Sequence, residues 1–252
     1  MDRVAATGFG AGAEAYHRGR PSWPLAAVDA AFEHWSLSPD AGLVVDLAAG
    51  TGLLTERLAR RCPRLLAVEP VDEMRGHITF AEAVAGTAEH LPLSDGAASA
   101  IFVSEAFHWF DQPAALAEIA RVLRPGGGLA ILWNHPLSRQ PWSAELTALL
   151  AEHHYHPKGL GLGTGDAREK RDWQHGPDWA SFEPLTYREF EHRQTVTRAD
   201  AVARVASFSY IASLEAARRD EVLARVDALL AEHGVTEYEQ RWRCDLYLTR
   251  RY

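Results

Sequence analysis

The run Asp46-Leu47-Ala48-Ala49-Gly50-Thr51-Gly52 concentrates residue types that do chemistry with a bound ligand. It joins a short apolar stretch to a helical pattern, and its glycines let the backbone turn tightly and approach a ligand with no Cβ in the way. In an open parallel sheet, ligands sit beyond the carboxyl ends of the strands, at the switch point beside the first one. Glu69 ends the next apolar stretch, roughly 20 residues on, where a carboxylate accepts from ribose hydroxyls. Turn and carboxylate together point to a nucleoside-containing ligand. The dinucleotide fingerprint G-x-G-x-x-G needs a third glycine where this chain has Thr55. Asp46 would repel a pyrophosphate, whereas a cation carrying an amino group suits it. The pattern therefore points away from NAD and towards a sulfonium cofactor.

The elements that must hold these residues follow from periodicity. Leu43–Leu47 reads as a buried strand, and Leu53, Leu54, Leu58 and Ala59 continue as a helix to Arg61. Leu65–Glu69 is a second strand stopped by Pro70, followed by a helix from about Val71 to His77 and a weaker strand near Ala83–Ala85. Ala100–Val103 and Leu129–Trp133 are further strands, separated by the helical stripe Ala114, Leu116, Ile119, Ala120 and Leu123 and by the breaker Pro125–Gly128. Strands without polar alternation, spaced by helices, imply a parallel sheet covered on both faces with right-handed crossovers. The fold class is α/β, doubly wound and Rossmann-like.

Residues 1–134 form the ligand-binding core with an entry helix. Residues 135–184, rich in Trp, His, Gly and Pro, read as an insertion capping the substrate site, with a helix near Ala144–His153. Residues 185–252 complete the sheet of what is a single domain. They hold strand Leu185–Val196, helices Arg198–Phe208 and Ser213–His233 with Gly234 as cap, and strand Arg243–Leu248. The run Gly159–Gly165 follows no strand, so it reads as a loop and not a phosphate cradle.

Composition narrows the function. With 34 acidic against 26 basic residues the chain carries a net charge of −8, which opposes a phosphate backbone, so no nucleic-acid partner is expected. Cys62 and Cys244 form no C-x-x-C pair, which argues against a Cys-based zinc site and fits a reducing compartment. His153, His154, His156 and Asp166 lack the i, i+4 helical spacing of a zinc protease, and no metal is expected. No stretch approaches the roughly 20 apolar residues of a membrane span, so a cytoplasmic protein without membrane contact is expected.

The segment from about Phe9 to Asn134 resembles the small-molecule branch of the class I S-adenosylmethionine-dependent methyltransferases, the type 11 group that includes trans-aconitate methyltransferase-like enzymes. The matching pieces are the D-x-x-x-G-x-G turn, V-E-P-x-x-x-M at Val68–Met74 and G-T-A-E-H-L-P-L at Gly86–Leu93. S-E-A-F-H-W-F at Ser104–Phe110, L-R-P-G-G at Leu123–Gly127 and the entry sequence Tyr16–Pro24 complete them. The resemblance implies a seven-stranded sheet with its last strand antiparallel, S-adenosylmethionine as cofactor and S-adenosylhomocysteine as product. It implies that Ala48, Gly50, Thr51 and Gly52 line the methionine part, with Asp46 behind them. Glu69 holds the ribose hydroxyls, and Pro70 and Met74 flank the adenine. Ala88 offers its N–H to the ring, with Thr87 or Glu89 near the exocyclic amine. Ser104 and Ala106 meet the methionine amine and sulfonium, while Tyr16 and Arg20 close over the cofactor, Arg20 facing its carboxylate. Two departures stand out. Ala48 replaces the first glycine of the turn, which requires a negative φ there, and Thr87 replaces a frequent Asp.

Methyl transfer asks mainly for alignment and exclusion of water, since the sulfonium is already activated. A hydroxyl or amine acceptor also needs its proton removed, and His108, beyond the fourth strand, is the candidate; a structural histidine is the competing reading. Phe107, Trp109 and Trp133 are candidate walls of a small-molecule pocket, or else core. A homodimer is compatible with all of this. A non-catalytic regulator that kept the nucleoside site is the alternative function.

Overall fold

The computed structural model describes residues 13–137, 139–152 and 179–252. The chain opens with α1 (Ala13–Gly19) and α2 (Leu25–Trp35), then β1 (Leu43–Leu47), α3 (Leu53–Ala59), β2 (Leu65–Val68), α4 (Asp72–Arg75) and β3 (Glu82–Val84). β4 (Ala98–Ser104), α5 (Gln112–Val122) and β5 (Leu123–Pro136) follow. Beyond them come α6 (Ser143–Ala151), β6 (Thr186–Thr197), α7 (Arg198–Ala206), α8 (Ser209–Ala212), α9 (Ala216–Glu232) and β7 (Glu237–Arg250).

The seven strands form one sheet in the order β3-β2-β1-β4-β5-β7-β6. β1 to β5 pair in parallel, and β7 runs antiparallel to both β5 and β6. The order reverses at β1, whose neighbours are β2 and β4, so the switch point lies at the carboxyl end of Leu43–Leu47.

The central strands lack polar alternation because both faces are covered. Val45, Leu47, Ile101, Val103 and Ile131 pack against Leu116 and Ile119 of α5 on one face. Val44, Phe102, Ala130, Leu132, Leu246 and Leu248 pack against Val28, Phe32 and Trp35 of α2 on the other. A third cluster joins Leu149 and Leu150 of α6, Val205 of α7 and Val222, Val226 and Leu230 of α9. Helix ends follow local chemistry. Thr197 and Asp200 make a reciprocal capping box at the start of α7. At the end of α9, Gly234 takes φ +67°, and Val235 N–H and Gly234 N–H return to the carbonyls of Leu230 and Ala231 in a Schellman arrangement.

Two strands are longer than periodicity indicates. β7 begins at Glu237, before the expected Arg243, because its first half pairs with β6 and turns Gln240 and Trp242 inward between exposed charged residues. On its exposed face run cross-strand charge pairs, as in Arg193–Glu239 at 2.9 Å and Arg241–Glu191 at 2.7 Å. β5 begins at Leu123, taking in the Pro-Gly-rich segment expected to be a breaker, because Gly126 and Gly127 exchange backbone hydrogen bonds with Arg251. The expected glycine run 159–165 and the histidines at 153, 154 and 156 lie outside the described residues. No helix among the described residues is long and apolar enough to cross a membrane.

Gly128 fixes how closely α2 approaches the sheet. A Cβ there would lie 2.1 Å from the Trp35 ring, which is itself 1% exposed and donates its indole N–H to Thr249 O at 2.9 Å. Gly128→Ala is expected to destabilise the protein by about 2 kcal/mol or more, because neither ring nor strand has room to yield. A denaturant midpoint within error of the wild type would contradict that packing.

Candidate active site

The site is built on the turn that follows β1. Ala48, Gly50 and Gly52 take φ of +55°, +58° and +85°, so three residues in this short stretch are left-handed. The glycines adopt that conformation without Cβ strain, and Gly52 doubles as the N-cap of α3. Ala48 corrects an expectation: its φ is positive, so the chain accepts an alanine where glycine is the unstrained choice. Glu105, the first residue beyond β4, is likewise left-handed at +52°. Strain of this kind persists where the surroundings hold it, and here it marks the ends of the two central strands.

Glu69 holds the turn in place. One carboxylate oxygen accepts from Gly50 N–H at 2.8 Å and the other from Val71 N–H at 2.9 Å, so the loop after β1 is tied to the loop after β2. The residue is 5% exposed, and burial raises its pKa more than those two N–H groups and Arg75 lower it. Arg75 donates to the Glu69 carbonyl at 2.8 Å, bracing the same corner from α4.

Asp46 lies one residue before the end of β1 and is fully buried. Its Oδ2 accepts from the Thr55 hydroxyl at 2.5 Å. Burial pushes its carboxyl up to about 7, with the Glu69 charge adding to the rise and the Thr55 hydrogen bond opposing it. Asp46 Oδ1 and the buried Thr51 hydroxyl have no hydrogen-bond partner among the described residues. Buried polar atoms of this kind are normally satisfied by a hydrogen bond. A Cβ on Gly50 would come only to 3.9 Å from Met74 Sδ and from Tyr16 Cε1, which places those two side chains around the turn.

α1 roofs this end of the sheet. Gly19 lets it meet α7 backbone to backbone, since a Cβ there would lie 2.3 Å from Arg204 N. Arg18 pairs with Asp200 at 2.6 Å, and Arg20 donates through Nε to the Ser207 hydroxyl at 3.0 Å. The Arg20 guanidinium lies 4.9 Å from the centroid of the Tyr16 ring, whose phenol burial pushes upward. His17 stacks on His77 at 5.9 Å, linking α1 to the segment after α4.

The remaining expected residues divide by place. Ser104 and Ala106 flank Glu105 at the end of β4, where the Glu105 carboxylate accepts from Asn134 N–H at 2.7 Å. Thr87 exchanges backbone hydrogen bonds with His90 at 3.2 Å, Ala88 is buried, and Glu89 accepts from Asp111 N–H at 3.1 Å. Pro70 is half-buried at the start of the loop that Glu69 anchors. Phe107 is 1% exposed and packs on Phe110 and Trp179 in the core on the α5 side of the sheet. Trp133 joins that core, edge-on to Tyr247 at 5.6 Å. Trp109 is half-buried and His108 exposed, their rings 4.8 Å apart. The fold thus brings the turn, both carboxylates, Met74 and the α1 roof together, while Phe107 and Trp133 sit among core residues. Among the described residues, no group of three or more His, Cys, Asp and Glu side chains is placed to hold a metal. Sequence reasoning gave no site role to Thr55, Glu105 or Gly19. Thr55 carried the one available signal, a hydroxyl on the first turn of the helix after the glycine turn.

Comparison with known proteins settles the family. Residues 45–131 match a family model described as a methyltransferase domain. An uncharacterized methyltransferase of Mycobacterium tuberculosis (strain ATCC 25618 / H37Rv) is 37% identical over 229 residues, covering 89% of this chain and 86% of its own. The chain belongs to the class I S-adenosylmethionine-dependent methyltransferases of the type 11 group. An uncharacterized methyltransferase-like protein of Schizosaccharomyces pombe is 28% identical over 85% of this chain and 82% of its own. In fold, this methyltransferase is similar to a chain from Anaeromyxobacter dehalogenans described as a type II methyltransferase, with a TM-score of 0.64 at 21% identity, covering 92% of this chain and 97% of that one.

The left-handed Ala48 generates a prediction. Ala48→Gly removes about 1 kcal/mol of Cβ strain, partly offset by the greater freedom of glycine in the unfolded chain. The variant is expected to unfold at the wild-type midpoint or slightly above it; a loss of more than about 1 kcal/mol would contradict the turn conformation.

Proposed function

We propose that the enzyme binds S-adenosylmethionine against the turn between β1 and α3 and directs methyl transfer to a small-molecule acceptor by in-line displacement. The observation that carries this reading is the pair of buried carboxylates, Asp46 and Glu69, at the ends of neighbouring parallel strands around a turn with unpartnered polar atoms. The cofactor supplies a methyl group already activated on a positively charged sulfur. Each Glu69 oxygen uses one lone pair on the backbone and keeps another for a ribose hydroxyl. Asp46 Oδ1 and the Thr51 hydroxyl take the amino end, with Ala48, Gly50, Gly52, Ser104 and Ala106 lining the methionine part. Pro70 and Met74 flank the adenine, and Thr87, Ala88 and Glu89 meet its edge. Tyr16 closes the roof, and Arg20 keeps N–H donors beyond those spent on Ser207 for the cofactor carboxylate. Beneath that roof the chain aligns the reactants and excludes water, which is most of what this chemistry requires. His108, with Trp109 beside it and Phe107 and Trp133 behind, orients or deprotonates the acceptor; His108→Ala is then expected to lower turnover about a hundredfold. Unchanged turnover would remove it from the mechanism.

The cofactor reading makes a pH-dependent prediction. With the Asp46 carboxyl near 7, a cationic amino group binds its ionised form, so affinity rises as pH increases through that value. Calorimetric titration of S-adenosylhomocysteine is expected to show binding about tenfold tighter at pH 8 than at pH 6. Asp46→Asn should bind more weakly at pH 8 and lose the slope, Glu69→Ala should weaken binding at every pH, and NADH should not bind. A folded protein that ignores S-adenosylmethionine and S-adenosylhomocysteine, or binds NADH equally well, would overturn the assignment.

A further inference from the structure

The segment after β3 folds into a tight turn whose tip carries Ala88 and Glu89. Thr87 N–H donates to His90 O and His90 N–H to Thr87 O, each at 3.2 Å. The first end of the turn is fixed by packing. A Cβ on Gly86 would lie 2.8 Å from both Val68 Cγ1 and Pro92 Cδ, so the chain doubles back closely on the end of β2. Glu69 N–H donates to Val84 O at 3.1 Å, which sets the turn beside the carboxylate assigned to the ribose.

The second end is held by α5. Glu118 Oε1 accepts from the Leu91 N–H at 2.7 Å. The same carboxylate is itself held in a fork, its two oxygens accepting from Nε and Nη2 of Arg121, both at 2.7 Å. Arg121 Nη2 also donates to Leu91 O at 3.4 Å, and its Nη1 to Asp95 at 2.6 Å. Both backbone polar groups of Leu91 are thus gripped by side chains of one helix, much as a neighbouring strand would grip them. The Glu118 side chain is 13% exposed, so water competes little for these bonds. A third tie comes from the N-cap of the same helix, where Asp111 N–H donates to the Glu89 carboxylate at 3.1 Å.

Resting on the cofactor assignment above, we propose that Glu118 is a positioning residue for base recognition: by holding the Leu91 N–H it fixes the Thr87–His90 turn where its tip reads the edge of adenine. Adenine presents an amine donor and a ring-nitrogen acceptor along that edge. Hypoxanthine presents a carbonyl acceptor and an N–H donor at the same two places. A tip fixed in position pairs with the first pattern and leaves polar groups unpaired against the second, which is how a hydrogen-bonding site rejects a near-isostere. A tip free to shift admits water or a moved peptide, and either base is then accommodated. Arg121 acts one step further back, aiming the Glu118 carboxylate.

The test titrates the full chain with S-adenosylhomocysteine and with S-inosylhomocysteine, which differ only in the base. The wild type is expected to prefer the adenine ligand by at least about tenfold. Two variants separate reach from charge. E118Q loses the charge but keeps an oxygen that reaches the Leu91 N–H, so its preference should stay within about threefold of wild type. E118D keeps the charge and an ion pair for Arg121 but withdraws the oxygen by one methylene. Its affinity for S-adenosylhomocysteine should fall about tenfold while that for S-inosylhomocysteine holds, bringing the two ligands within about threefold of each other. A purely structural ion pair predicts the reverse order, with E118D tolerated and E118Q damaged. Amide exchange of the wild type gives a reading that needs no variant: the Leu91 N–H should exchange at least about a hundredfold more slowly than an open amide. Equal binding of the two ligands by the wild type would overturn the proposal, as would a preference that survives in E118D. So would a preference lost as fully in E118Q as in E118D, an equal loss for both ligands in E118D, or a freely exchanging Leu91 amide. Failure of the wild type to bind S-adenosylhomocysteine would instead overturn the cofactor assignment, and this inference with it.

Discussion

The N–H groups of Gly50 and Val71 converge on the one carboxylate of Glu69, and the geometry of the site depends on that convergence. Parallel strands set side by side leave their carboxyl-end loops free to diverge. A buried acceptor shared between two such loops removes that freedom and satisfies two donors that would otherwise be orphaned. Glu69 also sets the local field. Its charge contributes to the rise of the Asp46 carboxyl, so the residue that fixes the turn also tunes the group behind it. Arg75 closes the arrangement from below by donating to the Glu69 carbonyl and pairing with Asp72.

The rest of the active end of the sheet is held in states that a stability-optimised chain would avoid. Ala48 and Glu105 carry left-handed backbone, and Asp46 has an unpartnered oxygen. These costs are supported by the layers beneath, where both faces of the sheet are sealed by α2 on one side and α5 on the other. Concentrating local cost at one end of a well-packed scaffold is what pre-organised binding requires.

The fold was legible in proportion to burial. Leu43–Leu47 and Ala98–Ser104 are apolar on both faces, so their sequences announce central strands wherever the chain places them. Residues 237–242 announce little, because their inward positions are Tyr238, Gln240 and Trp242 between exposed Glu and Arg residues, with no run of aliphatic side chains to mark a strand. The same division holds at the site. Asp46, Gly50, Gly52 and Glu69 are readable because their spacing is local and tied to strand ends. The place of Arg204 is not, since its backbone meets Gly19 and its guanidinium lies over Trp242, residues far away in the chain. Ala48 shows a limit of a different kind: backbone conformation at one residue is decided by the tertiary structure around it, and alanine does not declare it.

A crystal structure of the complex with S-adenosylhomocysteine tests the central claim most directly. The account predicts the ribose hydroxyls on Glu69 with its bonds to Gly50 and Val71 intact. It also predicts the adenine beside Met74, and the amino group within hydrogen-bonding distance of Asp46 or Thr51. A ligand bound elsewhere, or one whose ribose leaves Glu69 bonded only to backbone, would contradict it.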